Sequence, residues 1–250
     1  MSHDDSRVIA LPPPPTPAVV LDDPLAVASY GAGLLAMVEQ RASAAGDGHA
    51  AARLVAEMDN IHQAMRAHDT GAIRRSVGLL GRLLGRDVEV QAQAERLAGQ
   101  LDICLLRADG IVTEVQGALP VHQQQAVLAA EAVSAIDAWA EAGERVLQDA
   151  VAQAGAADST LTVAALQRRL HHLRGVARLR ALEASQLQLL HAQSVELLER
   201  YQRIRDVLLP LWRQQVLATK AAGMSARLVT AADTQTRILA EVEAMQARLR

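Results

Sequence analysis

The sequence contains no phenylalanine, and its only aromatic residues are Tyr30, Trp139, Tyr201 and Trp212. Sheet cores depend on aromatic and β-branched side chains, so this shortage argues against sandwiches, barrels and parallel α/β sheets. Half of the 250 residues are nevertheless hydrophobic, which excludes a generally disordered chain. Alanine and leucine supply most of that half, and both favour helices. The composition therefore predicts an all-α protein.

Cysteine and lysine are also scarce. Cys104 is the only cysteine, so the chain forms no intrachain disulfide and cannot run a dithiol reaction by itself. The first five residues include two aspartates, at positions 4 and 5, where a signal peptide needs positive charge. No apolar run approaches the roughly 18 residues of a membrane span. The chain is therefore expected to be a soluble cytoplasmic protein, with a net charge of -3.

Proline is concentrated at the start of the chain, between residues 12 and 24. Residues 1–22 are therefore predicted to be a disordered proline-rich tail. Asp23 followed by Pro24 is typical of a helix start, with an aspartate cap and proline in the first position. The remaining chain is predicted to divide into N-terminal helices at 23–85 and a long-helix region at 86–250.

Apolar residues recur in steps of three and four along most of the chain. This spacing predicts an elongated antiparallel helical bundle with long coiled-coil-like helices. Leu119-Pro120 is expected to stop or kink a helix, so that the stripes at 90–118 and 133–150 would form an α-hairpin. Pro210 is expected to kink a later helix near residues 206–210. The predicted helices lie at 24–45, 54–65, 73–84, 90–118, 133–150, 166–211 and 228–249.

The last apolar stripe continues to the end of the sequence, so it must be buried against an earlier helix, a second copy or residues outside this chain. The predicted partner is a helical protein or the chain itself, with peripheral membrane contact as an alternative. Trp212, beside Pro210, either fills the gap at the kink or binds a partner. The candidate partner-binding residues are Trp212, Leu228, Ile238, Val242, Met245 and Leu249.

No known catalytic pattern is found. The eight histidines include no pair at the i, i+4 spacing of zinc helices, and the glycine-rich segment 78–86 lacks a phosphate-binding Gly-Lys-Ser/Thr ending. Cys104 lies on a core stripe, where a free cysteine behaves as a small apolar residue. We therefore predict no enzyme activity, no metal site and no cofactor.

Residues 168–180 form the most basic segment, with five arginines and no acid. Such a helix can hold an oxyanion, an acidic partner or an anionic lipid. Nucleic acid is disfavoured because the whole chain is acidic and no aromatic lies in this segment. On a helical wheel the arginines spread around the helix, as on a solvated surface. The candidate anion-binding residues are Arg168, Arg169, Arg174, Arg178, His171 and His172.

Four segments resemble the toxic anion resistance (TelA, tellurite resistance) family. A periodic helix from Ala184 runs into Pro210-Leu211-Trp212, followed by Arg213 and two glutamines. The others are Leu166-Gln-Arg-Arg-Leu-His-His-Leu173, Val27-Ala-Ser-Tyr-Gly31 and Ile136-Asp-Ala-Trp-Ala-Glu-Ala-Gly143. They occur in family order and span residues 24–222. Family members carry more lysine around positions corresponding to 80–100 and usually continue further as helices, so the chain is interpreted as a shortened relative.

The resemblance implies a cytoplasmic helical protein linked to tellurite and related stress, working with other tellurite-resistance proteins. The resemblance assigns no catalytic residues in this sequence. The combined hypothesis is a non-enzymatic scaffold or interaction protein in stress resistance. The alternatives are an oxyanion-sequestering protein that uses the arginine-rich helix, and a peripheral membrane protein.

Overall fold

The computed structural model describes residues 10–16, 18–42, 49–67, 86–153, 160–217 and 224–248. These residues form helices and short connecting segments, with no strand among them, which confirms the predicted all-α helical bundle. The predicted helix at 73–84 lies outside the described residues. The helices are α1 (Pro24–Ser29), α2 (Ala32–Ala42), α3 (His49–Ala67), α4 (Arg86–Gln153), α5 (Thr160–Arg203), a π-helical turn (Ile204–Leu208), α6 (Leu209–Leu217) and α7 (Met224–Arg248).

Helix α1 begins where Asp23-Pro24 predicts. Oδ1 of Asp23 accepts hydrogen bonds from the backbone N–H groups of Leu25 at 2.9 Å and Ala26 at 3.2 Å. These bonds satisfy two of the amides that have no partner within the first turn of a helix. The helix then breaks at Gly31, whose φ of 71° suits glycine, so the predicted single helix at 24–45 is two helices.

The chain divides into two compact units. Unit 1 contains residues 1–46 and 121–189, and unit 2 contains residues 47–120 and 190–250. This division differs from the predicted segments 23–85 and 86–250. Each unit joins an early part of the chain to a late part, because antiparallel helices bring distant residues into contact, and periodicity along one helix does not reveal which helix it packs against.

Unit 1 is built on α1, α2, the second half of α4 and the first part of α5. Its core contains Ile136 and Ala140 from α4 together with Leu166, Leu170 and Leu173 from α5. The described residues before α1 also pack on this core. Val19 is buried, and the indole Nε1 of Trp139 donates a hydrogen bond to the carbonyl of Pro12 at 2.9 Å.

These contacts differ from the expectation of a disordered tail at 1–22, for the part of it that the structure describes. Proline-rich sequence resists helix and sheet formation, but its apolar side chains and free carbonyls still pack against a helical surface. Residues 1–9 and 17 lie outside the described residues.

Unit 2 is built on α3, the first half of α4, the end of α5, the π-helical turn, α6 and α7. Helix α7 packs against α3 and α6. The core draws on all of these elements and includes Met58, Ile61, Leu101, Tyr201 and Val242, each buried.

The chain does not stop at Leu119-Pro120, because α4 runs from Arg86 to Gln153 with Pro120 inside it. The predicted α-hairpin at this point is therefore wrong. Pro120 removes one backbone hydrogen bond, and that loss is compatible with a helix held by packing along its length. Apolar contacts on both sides of Pro120 supply that packing, with Val115 and Ala126 buried.

Pro210 is accommodated differently. The residues before it form the π-helical turn, in which the Leu209 N–H donates to the carbonyl of Ile204. Proline clashes with the carbonyl four residues earlier in a regular α-helix, and the wider turn relieves that clash. Pro210 directly follows this turn, as the second residue of α6. The irregularity lies in the region 206–210 where the sequence predicts one.

Candidate functional site

The structure does not bring the six predicted anion-binding residues together. They lie on the first half of α5, where Arg168, Arg178, His171 and His172 are exposed. Arg168 and Arg178 form no ion pair with the residues that the structure describes. Successive helical residues turn by about 100°, so these four side chains point in several directions.

The other two arginines support the fold. Nε of Arg169 donates to the carbonyl of Tyr30 at 2.6 Å, which is the end of α1. Arg174 makes two hydrogen bonds to Glu144 on α4, from Nε at 2.8 Å and from Nη2 at 2.7 Å. The carboxylate of Glu144 already accepts hydrogen bonds from two nitrogens of the Arg174 guanidinium, so an oxyanion must compete with Glu144 for this side chain.

Tyr30 anchors α1 to α4 inside unit 1. Its hydroxyl donates to the carbonyl of Trp139 at 2.7 Å, and the two rings lie 5.3 Å apart. Burial raises the pKa of Tyr30 to about 12, against an opposing effect of Arg145. A phenol held neutral in this way is a structural hydrogen-bond donor. The Tyr30 and Trp139 pair lies in two of the segments quoted for the family resemblance.

A small cleft in unit 1 gathers charged groups that the sequence analysis did not identify. Arg41 pairs with Glu131 at 2.9 Å and Arg180 pairs with Glu183 at 2.7 Å. The cleft is open to solvent, and its lining includes the apolar side chains of Val38 and Leu128. Arg180 lies three residues after Ala177, on the buried stripe of α5. A charged residue on that apolar face is the feature of the sequence that could have indicated the cleft.

Each arginine that lines the cleft has a carboxylate partner: Glu183 is also in the lining, and Glu131 lies outside it. Arg41 and Arg180 are each mostly shielded from solvent. The Arg41–Glu131 pair joins α2 to α4, whereas Arg180 and Glu183 lie one turn apart on α5. The cleft offers no unpaired charge for a small anion among its described residues. It has the geometry of a packed helix junction.

The predicted partner-binding residues are buried within unit 2. Ile238, Val242 and Met245 have no exposed surface, and Trp212 is nearly as buried. The expectation that this stripe is free for a partner is therefore corrected, because α3 and α6 pack against α7. The side chain of Leu228 and the whole of Leu249 lie outside what the structure describes.

Polar contacts hold α7 in this position. Nε2 of Gln235 donates to the carbonyl of Met65 at 2.7 Å, and Nε2 of Gln246 donates to Asp59 at 2.6 Å. Glu241 accepts from Arg200 at 2.6 Å and from Arg203 at 2.7 Å. Burial opposes ionisation of Glu241, but the two arginines outweigh it and hold its pKa below the usual range.

Cys104 is half-buried against the core of unit 2, as its place on the apolar stripe predicts. Burial and the neighbouring carboxylate of Glu57 raise the pKa of its thiol, which disfavours the reactive thiolate. The described residues contain no cluster of three metal-ligating side chains. Among those same residues, no helix is both long and apolar enough to cross a membrane.

One curated protein shows significant similarity to this chain. It is Protein KlaA from Escherichia coli, which is 28% identical over 141 residues. That match covers 55% of this chain and 55% of KlaA, so the chain spans about half the length of the curated relative it matches. No family model matches the sequence, and no solved structure matches it.

Proposed function

We propose that this chain is a non-enzymatic helical interaction protein that acts in resistance to toxic anions such as tellurite. The observation that carries the proposal is the similarity to Protein KlaA, together with the four sequence segments that resemble the toxic anion resistance (tellurite resistance) family. The proposed location is the cytoplasm, and the proposed partners are other helical proteins of the same resistance system.

The way the charged side chains are used supports an interaction role. Arg169, Arg174, Arg200 and Arg205 each bind a carbonyl or carboxylate on another helix. The two tyrosine hydroxyls likewise join helices, and burial raises the pKa of both. Groups that are committed to holding helices together favour a scaffold over a catalyst.

The test is genetic. Deleting the gene from its natural host should lower the concentration of tellurite that stops growth, and a plasmid copy should restore it. A plasmid that encodes a helix-breaking Ile136→Pro variant is the matched control and should not restore resistance. Equal growth of the deletion strain and its parent at every tellurite concentration contradicts the proposal.

A purified-protein assay separates the interaction role from catalysis. We expect no reduction of tellurite above the rate in buffer when the protein is given a thiol or a nicotinamide reductant. The lone cysteine, with its raised pKa, is the physical reason. Turnover that scales with protein concentration identifies an enzyme and overturns this part of the proposal.

The second candidate function is oxyanion binding by the basic helix. It is favoured by the exposure of Arg168 and Arg178, which form no ion pair among the described residues. An anion that binds the folded state raises its melting temperature with concentration. Millimolar tellurite or phosphate should therefore raise the melting temperature, and an Arg168→Gln, Arg178→Gln double variant should abolish the shift. No shift in the parent protein removes this candidate.

A further inference from the structure

Helix α5 carries a second stripe, with three leucines among its five members, in addition to the apolar one it buries in unit 1. Its members are exposed and recur in steps of four, three, four and three, and we name them the outer seam: Gly175, Leu179, Leu182, Gln186 and Leu189. The side chains of Leu179, Leu182 and Leu189 are 64%, 55% and 58% exposed. The buried stripe lies on the opposite side of the helix and includes Leu166, Leu170, Leu173 and Ala177.

We propose that the outer seam pairs with the outer seam of a second copy of this chain, in a short parallel two-stranded coiled coil. A repeat of seven residues with apolar first and fourth positions, a and d, is the spacing that lets two helices interlock. Leu179 and Gln186 occupy the a positions. Leu182 and Leu189 occupy d, as does Gly175.

Gln186 selects the parallel arrangement. In a parallel pair the residues at one a position meet each other, so the two Gln186 amides hydrogen-bond together. In an antiparallel pair an a residue meets a d residue, and every d residue of the seam is leucine or glycine. An amide facing those residues loses its hydration without gaining a partner.

The charges beside the seam also fit a parallel pair. The positions that flank it are g and e, and g of one helix lies next to e of the other five residues further along. Arg178 is at g and Glu183 is at e, so each dimer gains two pairs of opposite charge. Arg178 has no ion-pair partner within the described residues, and Glu183 contacts Arg180 through only one of its carboxylate oxygens. No flanking pair brings like charges together.

The size of the seam predicts a weak dimer. The exposed surface of the three seam leucines amounts to roughly 300 Å² per copy, so pairing buries at most about 700 Å² of leucine surface in the dimer. Stable interfaces bury more, whereas transient ones lie at this lower end. The dimer should therefore form and dissociate within the micromolar range of protein concentration. This inference is independent of the proposed role in tellurite resistance.

Sedimentation equilibrium of the full chain tests the dimer. Between about 1 μM and about 100 μM protein, the average mass should rise from 26.7 kDa towards twice that value. Leu182→Glu should hold the protein at the monomer mass. The control is Ala181→Glu, one exposed residue away and outside the seam, which should dimerise as the parent does. A parent that stays monomeric, or a Leu182→Glu variant that still dimerises, overturns the proposal.

Charge reversal and cross-linking test the parallel register. Arg178→Glu alone should weaken the dimer at least several-fold, and adding Glu183→Arg should restore it. In a Cys104→Ala background, Gln186→Cys should form a disulfide-linked dimer on oxidation, whereas Gln188→Cys, exposed on another face, should not. Failure of the double charge reversal to restore association, or equal cross-linking of the two cysteine variants, contradicts the parallel pairing. All substituted side chains except Cys104 and Glu183 are exposed, and circular dichroism checks that each variant folds.

Discussion

The hydroxyl of Tyr201 donates a hydrogen bond to Oδ1 of Asp109 at 2.6 Å, which joins α5 to α4 in the core of unit 2. The same carboxylate accepts hydrogen bonds from Arg205, one residue into the π-helical turn, with Nη2 at 3.0 Å from Oδ2. Tyr201 is almost fully buried, so its hydroxyl depends on this partner. The proline-driven turn and the buried tyrosine are thus tied to one aspartate.

Removing that hydroxyl should destabilise the protein. Tyr201→Phe leaves the ring in the core but deprives the carboxylate of a donor, and a hydrogen bond to a charged group contributes about 1.5–3 kcal/mol. We expect the free energy of unfolding to fall by about that amount in urea denaturation at neutral pH. Gln202→Ala, on the exposed side of the same helix, is the control. A Tyr201→Phe variant as stable as its parent contradicts this assignment.

The two tyrosines should resist ionisation in the folded protein. Burial raises the pKa of Tyr30 from 10.0 to about 12, and burial together with Asp109 raises the pKa of Tyr201. A raised folded-state pKa for these acids favours the neutral form, so the stability it contributes is complete below pH 10.0 and is lost as the pH rises through about 12. Tyrosinate absorbance should therefore appear together with unfolding. If half of the tyrosinate absorbance appears near pH 10.0 while the protein is still folded and helical, the prediction is wrong.

Much of the fold follows from local sequence. The Asp23-Pro24 start and the irregularity before Pro210 depend on one or two residues whose backbone chemistry is fixed. The long helix through Pro120 was not foreseeable in this way, because packing on both sides of the proline outweighs one lost hydrogen bond. The burial of Ile238 and Val242 against α3 also required the structure, since an apolar stripe does not identify what covers it.

The same limit applies to the sites. The arginines of α5 look alike in sequence, yet Arg169 and Arg174 hold other helices while Arg168 and Arg178 face solvent. The outer seam has heptad spacing in the sequence, but alanine-rich helices contain many such spacings. Only the exposure of Leu179, Leu182 and Leu189 separates that stripe from the buried one.

Stability should depend on pH through Glu241 in the acid range. Burial disfavours its charge, but hydrogen bonds from Arg203 and Arg200 lower its pKa below the ordinary 4.5. A lowered folded-state pKa contributes stability above 4.5 that is lost as the pH falls through the folded value. Glu241→Gln should therefore be less stable than its parent at neutral pH, with the difference shrinking in acid.

Urea denaturation across the acid range measures this difference. The control is Glu199→Gln, an exposed residue of α5 that forms no ion pair with the described residues, and it should track the parent at every pH. A Glu241→Gln penalty that stays constant from neutral to acid pH shows that the ionised form is not what the arginines stabilise.

Two glycines within α4 should respond in opposite directions to the same substitution. A Cβ atom on Gly143 would lie 2.6 Å from Cδ2 of Leu170, which is buried in the core of unit 1. A Cβ on Gly110 meets nothing within 4 Å. Alanine favours helices over glycine by about 1 kcal/mol, so Gly110→Ala should stabilise the protein by about that amount. Gly143→Ala gains the same preference but overpacks the core, and the cost of about 1–3 kcal/mol should give a net loss. Thermal and urea unfolding compare the two variants, and a Gly143→Ala protein more stable than its parent means that Leu170 has room to move.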